Sequence, residues 1–463
     1  MTAFCAVAIT LGLTACSNTN DAAESEHATT FPAESLYKIA QVEDQPFMGE
    51  TYINDYDYDA GNQFLIKNYV SDAAGACSSF RAGGYAARNL DWYIRDYAML
   101  VVHLPANAAK GRYASVGIVS SIPFVNKAMI AGGVVSDTVI YNDAAVGNWR
   151  NIMPIFTTDG INEKGVCVNT NIVMHEEGVR EGYVPCNGNG EPYTSFISLP
   201  RYVLDNCVSA DDAVAKCSKL SVRQACRGPF ASEDCHLMVS DKDKTVVIEW
   251  LNNKMVYTEY KNNGNNLYVS DNNMPAIMTN FYNCIGDKHL NADGTIDLAS
   301  ILSVHPYAMG VERYNTLRDG LEKVNSVETA AAQIEKVLYT HFYDLSKGWY
   351  TENGASCKRI DGTWYYPTDP SFAASTYKPA ANIVEAVKNT YAEGSLQPKL
   401  IESFGSFEKR MEDLNNGIES KDEWYTELTD IFDINNKVLY VMPQQGYFKN
   451  EFTPFTVHGN YKP

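Results

Sequence analysis

The sequence predicts an α+β fold built in layers. Runs rich in β-formers cluster in the first half and again near the C-terminus, and segments of helical spacing gather between them. Paired turn residues between adjacent β-rich runs mark hairpins, the short-range signature of antiparallel sheet. A strictly alternating parallel sheet would instead interleave single strands with single helices.

In chain order, Thr2 to Ala15 is an apolar run too short to span a bilayer. It ends in Leu13-Thr14-Ala15-Cys16, which resembles the lipobox of bacterial lipoproteins, so residues 1–16 read as an export signal and Cys16 as a lipid-anchor point. No Lys or Arg precedes the run, a departure from the usual signal. Residues 17–35 lack periodicity and read as a tether; residues 36–76 carry apolar positions such as Phe64, Leu65, Ile66 and Val70 and read as a propeptide covering the site. No linker or repeat interrupts 77–463, which reads as one domain. Ala98 to Leu104, Val116 to Val119 and Gly165 to Val173 read as strands, and Thr245 to Leu251 with Lys254 to Tyr260 as a hairpin about Asn252-Asn253. Trp424 to Phe432 and Val438 to Met442 flank Asn435-Asn436 in the same style. Ser209 with Asp212 approximates a capping box, and helical spacing continues over Arg313 to Leu321, Ala330 to Tyr339 and Ile383 to Tyr391.

Composition excludes several classes. A formal charge of −19 and the lack of clustered Lys and Arg argue against nucleic acid as a partner. With 45% hydrophobic and 20% charged residues in 463, there is ample material for a large core. Beyond Cys5, Cys16 and Cys77 there remain Cys167, Cys186, Cys207, Cys217, Cys226, Cys235, Cys284 and Cys357, read as buried thiols with a few bridges. No Cys-x-x-Cys or His-x-x-x-His spacing offers a zinc site, and neither metal nor organic cofactor is expected.

The most informative stretch is Cys77-Ser78-Ser79-Phe80, a glycine pair Gly83-Gly84, then Arg88-Asn89-Leu90-Asp91. It reads as strand, tight turn, strand, with a thiol at its head and an Arg/Asp pair on the return. The small-residue run Ala73-Ala74-Gly75-Ala76 precedes the cysteine and is suited to cleavage. A cut after Ala76 gives one residue both a nucleophilic sulfur and an α-amine of pKa about 7.7–8.0, a usable general base near neutral pH. Standing alone, Cys77 would read as a small buried hydrophobe. Arg88 and Asp91 differ by three positions, so a regular strand points them to opposite faces, and a bulge or local twist is expected to bring both to the thiol.

Three further blocks complete an ordered set: Asp159-Gly160-Ile161-Asn162-Glu163-Lys164-Gly165 running on to Asn169-Thr170-Asn171, then Ala276-Ile277-Met278-Thr279-Asn280, then Gly310-Val311-Glu312-Arg313-Tyr314. In this order they resemble the choloylglycine hydrolase family, which includes bile salt hydrolases and penicillin V acylases, with acid ceramidase-like enzymes as relatives. The resemblance runs from Cys77 to the end. It implies a four-layered αββα sandwich of the N-terminal nucleophile hydrolase type and assigns roles: Cys77 as nucleophile, Arg88 favouring its thiolate, and Asp91 orienting the amine. A main-chain N–H near Asn171 and the amide of Asn280 would hold the oxyanion, with Arg313 as electrostatic support; Asn169 and Thr170 share the Asn171 window. Trp92 and Tyr93 would line an acyl pocket. Glu163 and Lys164 read as a solvated turn.

The expected substrate is a small linear non-peptide amide with an apolar acyl group, such as a bile salt conjugate, penicillin V or an N-acyl amine, cleaved through a thioester. Export would place the protein in the periplasm, at the cell surface or in the medium, and a homo-oligomer is compatible with the sequence. Two alternatives are a papain-like peptidase pairing Cys77 with His305 or His341, and a non-catalytic surface lipoprotein binding ligands through its aromatic residues.

Overall fold

The computed structural model describes residues 36–40, 48–68, 76–92, 99–120, 152–173, 193–223, 234–251, 254–304, 310–337, 349–352, 355–360, 363–367, 377–381, 425–443 and 452–459. Its frame is set by the first expected hairpin, β3 (Ala76–Ala82) and β4 (Tyr85–Trp92), which pair in unbroken register from Ala76↔Asp91 to Ala82↔Tyr85. Gly83 turns the chain with φ +51°, and a Cβ there would stand 2.7 Å from the Val324 carbonyl oxygen, so only glycine fits.

This hairpin lies in a six-stranded sheet with β15 (Ile277–Met278), β20 (Tyr425–Asp433), β21 (Val438–Pro443) and β22 (Thr453–Thr456), in the order β15-β3-β4-β20-β21-β22. A ten-stranded sheet takes β1 (Leu36–Ala40), β2 (Met48–Tyr52), β5 (Met99–Leu104), β6 (Ser115–Ser120), β7 (Thr157–Asn162), β8 (Cys167–Val173), β11 (Asp234–Ser240), β12 (Lys244–Leu251), β13 (Lys254–Asn262) and β14 (Tyr268–Val269), in that order. A parallel pair, β9 (Tyr193–Ser195) and β10 (Ser221–Arg223), and a four-stranded sheet of β16 (Trp349–Glu352), β17 (Ala355–Ile360), β18 (Thr363–Pro367) and β19 (Tyr377–Ala380) stand apart in the hydrogen-bonding pattern.

Strand alternation sorts the two sheets into layers. On β4, Ala86 and Leu90 join Val101, Val116, Ile118, Ile161, Phe432 and Val441 in one core between the sheets. Phe80, Ala82 and Ala87 face the other way, into a core with helices α4 (Val311–Arg318) and α5 (Val327–Ile334). The outer face of the ten-stranded sheet, through Val166, Val168, Leu237, Val239, Val246 and Ile248, is covered by α2 (Leu199–Asn206) and α3 (Ala210–Cys217). The described chain therefore stacks helix, sheet, sheet, helix, the α+β sandwich the resemblance implies.

The hairpins of β12 with β13 and of β20 with β21 form where the turn signals place them. Ser209 caps α3 by accepting the Asp212 N–H, while the Asp212 carboxylate accepts from Val208 rather than from the cap residue itself. The helix expected over Ile383 to Tyr391 lies outside the described residues. β2 extends the ten-stranded sheet as a parallel neighbour of β5, and beyond it runs α1 (Tyr58–Asn68). Asn62 Oδ1 accepts from Ser195 N and Ser198 Oγ, and the Tyr56 hydroxyl donates to Asp205. The tether at 17–35 lies outside the described residues.

Candidate active site

Cys77 sits one residue into β3, 1% exposed, and its two reactive groups meet two different settings. Its thiol points between the sheets, where Arg88 Nη2 donates to Sγ at 3.1 Å. The main-chain side of the same residue meets the opposite face: Cys77 N donates to Asn280 Oδ1 at 3.1 Å, and Arg313 Nη1 donates to the Cys77 carbonyl oxygen and, at 2.7 Å, to Ser78 Oγ.

The three-residue offset of Arg88 and Asp91 is resolved without the bulge expected in their strand. β4 keeps its register against β3; the irregularity is in β20, between Thr426 and Leu428, opposite Asp91 and Leu90. Arg88 and Asp91 do point to opposite faces, and the cysteine uses both. On the inner face, Arg88 also donates to Asn171 Oδ1 at 3.2 Å and pairs with Asp159 across the sheets. On the outer face, Asp91 Oδ1 accepts from Thr426 Oγ1 at 2.6 Å. Asp91 Oδ2 lies 3.7 Å from Arg313 Nη1 and, among the described residues, accepts no hydrogen bond.

The electrostatics follow from burial. Burial pushes the Cys77 thiol above its ordinary value; the Arg88 guanidinium pulls it back only in part, and Asp91 adds to the rise. In the intact chain the thiol is thus held protonated, so the thiolate-favouring effect expected of Arg88 is outweighed. Burial also raises Asp91 to about 7, against the opposing pull of Arg313. Asp159 and Asp430 form a buried pair around one guanidinium and share Asn169 Nδ2 at 3.3 Å each. Burial raises both carboxyl groups, Asp430 further because Asp159 stands beside it.

The site residues expected from the sequence converge, with adjustments. Asn171 reaches the site through its side chain: Oδ1 accepts from Ser79 Oγ at 3.1 Å, and Nδ2 donates to the carbonyl oxygens of Met278 and Thr279. Asn169, on the same face two residues earlier, sits against Asp159 and Asp430. Asn280 Nδ2 donates to the Ile172 carbonyl oxygen at 2.7 Å, while its Oδ1 also accepts from Arg313. Arg313 is fully buried. Gly310, with φ +82°, opens α4 and leaves room for it: a Cβ there would stand 2.6 Å from Arg313 Nη2. Trp92 ends β4, but its ring and all of Tyr93, like His305 and His341, lie outside the described residues. Glu163 and Lys164 form a turn, with Lys164 Nζ 5.1 Å from the Tyr113 ring centroid.

Sequence reasoning missed Asp159, Asp430, Ser79 and Thr426. Asp159 stood in a quoted block, and its signal was its inward parity with Ile161; the others become visible only through cross-strand register. Among the described residues, Cys77, Cys167, Cys207 and Cys217 are free thiols. Cys186, Cys226 and the Cys357 side chain lie outside the described residues. Among the described residues no His, Cys, Asp and Glu cluster could hold a metal ion. A cleft of about 710 Å³ lined by Asp55, Tyr56, Lys110, Arg112, Tyr202 and Asp205, among others, contains none of these site residues.

A family model described as linear amide C-N hydrolases, choloylglycine hydrolase family, matches residues 82–275. Over those residues, fewer than half of the 463, the chain resembles the choloylglycine hydrolase family. The matched span contains Arg88, Asp91 and Asn171; Cys77 precedes it, and Asn280 and Arg313 follow it. At the level of reaction class, the chain is a linear amide C–N hydrolase. Among solved structures, one similar to the chain is a variant of the conjugated bile acid hydrolase from Clostridium perfringens, 14% identical, covering 84% of this chain and 97% of that one, with a TM-score of 0.35. Another is the penicillin V acylase from Agrobacterium tumefaciens, 14% identical, covering 81% and 76%, with a TM-score of 0.28. Among curated proteins no sequence matches this chain. The layer packing and strand order described above, rather than these distant likenesses, establish the four-layered αββα sandwich.

Proposed function

We propose that the protein is an exported N-terminal-cysteine amidase, made as an inactive precursor and activated by cleavage between Ala76 and Cys77. The observation that carries this reading is the split environment of Cys77: Arg88 on the thiol, and on the nitrogen side an asparagine oxygen and a buried carboxylate oxygen without a donor. An amide nitrogen cannot take a proton, so the intact chain lacks a base at the thiol. A freed α-amine would hydrogen-bond Asp91 Oδ2 and Asn280 Oδ1, and its charge would bring Asp91 down towards the ordinary carboxylate range.

In the proposed cycle the amine takes the thiol proton as sulfur attacks the substrate carbonyl. The oxyanion is met by the second Nδ2 hydrogen of Asn280 and by a donor near Asn171. The ammonium returns the proton to the leaving amine, the C–N bond breaks and a thioester remains. Water, deprotonated by the same amine, then releases the acid and restores the thiol. Arg88 stabilises the developing thiolate, and Arg313 fixes the Cys77 carbonyl and Asn280. No step calls for a metal or organic cofactor.

The substrate class is a small linear amide with an apolar acyl group; N-acyl amines, bile salt conjugates and penicillin V are the set to assay. Residues 1–16 are read as a signal with Cys16 as anchor, 17–76 as a leader and 77–463 as the catalytic domain. N-terminal sequencing of the active enzyme, with amine release from that panel, tests the proposal: a start at Cys77 with turnover is expected. Turnover by a chain still continuous through Ala76–Cys77 removes the proposed base.

A further inference from the structure

His236 and Glu249 form a buried pair that none of the roles above uses. His236 lies on β11 opposite Asn171 of β8, Glu249 lies on the neighbouring β12, and both are fully buried. His236 Nδ1 faces Glu249 Oε1 at 3.0 Å, and Nε2 faces the Thr279 carbonyl oxygen at 2.8 Å. A carbonyl only accepts, so Nε2 carries the hydrogen and donates. Glu249 is itself held: Oε1 accepts from Asn283 N at 2.7 Å and Oε2 from Cys284 N at 2.8 Å.

The contacts bracket one segment. β15 ends at Met278, so sheet pairing with β3 stops before Asn280. Beyond that point the chain is fixed from the ten-stranded sheet: Asn171 Nδ2 and His236 Nε2 both donate to the Thr279 carbonyl, and Glu249 takes the N–H groups of Asn283 and Cys284. Asn280 lies inside this bracket, with its side chain divided between Cys77 N, Arg313 and Ile172 O. A buried carboxylate with this many donors is costly to disturb, which makes it a rigid reference for the residues it holds.

We propose that Glu249 and His236 are positioning residues: Glu249 orients the imidazole, His236 fixes the Thr279 carbonyl, and together they hold the Asn280 amide against Cys77. This rests on the reading of Asn280 as the oxyanion donor. Displacing such a group by about 1 Å can cost about a hundredfold in rate.

The test is a double-mutant cycle with acyl-amide turnover as readout, on variants whose circular dichroism matches the parent. His236→Ala is expected to lower kcat ten- to a hundredfold, in line with such a displacement, with KM within about threefold. His236→Gln, which can still donate to Thr279 O, should recover most of the loss. In an Asn280→Ala background, His236→Ala should cost nothing further, because what it positions is gone. Full multiplication of the two losses, or an effect on KM alone, overturns the proposal. Should His236→Ala fail to fold, His236→Gln and Glu249→Gln carry the same cycle. A crystal structure of a His236 variant reads the positioning without turnover: Asn280 withdrawn from Cys77 N is expected, and an unmoved Asn280 overturns it. A parent enzyme that releases no amine from any acyl amide sinks the functional reading instead, and the crystal structure still decides the positioning.

Discussion

Two buried arginines reach Cys77 from opposite faces of one sheet, and they are held in different ways. Arg88, between the sheets, donates to the sulfur and is balanced by Asp159. Arg313, under the outer helices, is spent on neutral oxygens, those of Cys77, Ser78 and Asn280, with Asp91 at 3.7 Å. The first is a charge pair in a low-dielectric layer; the second is a charge that organises dipoles. A thiol needs the former and a main-chain segment the latter, so the difference between the faces is a difference between the two halves of one residue.

The largest effect expected is on the nucleophile. Cys77→Ser should abolish amide cleavage while leaving the fold intact; near-normal turnover would take the cysteine, and with it both faces, out of the mechanism. Next come the arginines. Arg88→Ala strands Asp159 in the interior and should cost about 3–5 kcal/mol in urea unfolding. Arg313→Ala loses hydrogen bonds to neutral groups and the 3.7 Å contact with Asp91, which burial lets stay protonated, and should cost about 1–3 kcal/mol. The reverse order would break the contrast drawn between them.

Asn280→Ala should lower kcat by about 100- to 1,000-fold with little change in KM; a pure KM effect would make Asn280 a substrate contact. Gly310→Ala forces a non-glycine residue to φ +82° and pushes on Arg313. A loss of about 1–3 kcal/mol is expected, with a fall in activity; unchanged activity would separate Arg313 from the chemistry.

A further effect is on pH dependence. In the uncleaved chain Asp91 keeps its proton to about pH 7, whereas the unfolded carboxyl loses it near its ordinary 3.8. The native state binds more protons between those values, so this contribution to stability is full below about pH 4 and lost as pH rises through 7. Unfolding of Cys77→Ala, which keeps the chain intact, should show a steeper decline over that window than Cys77→Ala with Asp91→Asn. Equal slopes would place Asp91 in a different charge state.

Much of the site was legible because chemistry leaves marks in order along the chain. A glycine pair, an Arg/Asp return strand and two asparagine-bearing blocks each carry a local signal, and the hairpin of Cys77 and Arg88 is close in sequence. The two-face problem was legible too, since it follows from strand parity alone; its answer was not. Trp92 and Tyr93 were named from adjacency only, and that link is the weakest because adjacency says nothing about where a ring points.

By itself, then, the sequence determined the strand and helix periodicities, the turns, the acidic balance and which residues could act as nucleophile, base and donors. Tertiary structure alone decided which partners those residues keep. Asp159 and Asp430 meet Arg88 from strands far away in the chain, and His236 with Glu249 reaches the segment of Asn280 across two sheets. The reason is physical: periodicity fixes the face a side chain occupies, but the register of distant strands and the loss of water between packed sheets fix what it meets and how strongly its charge is felt.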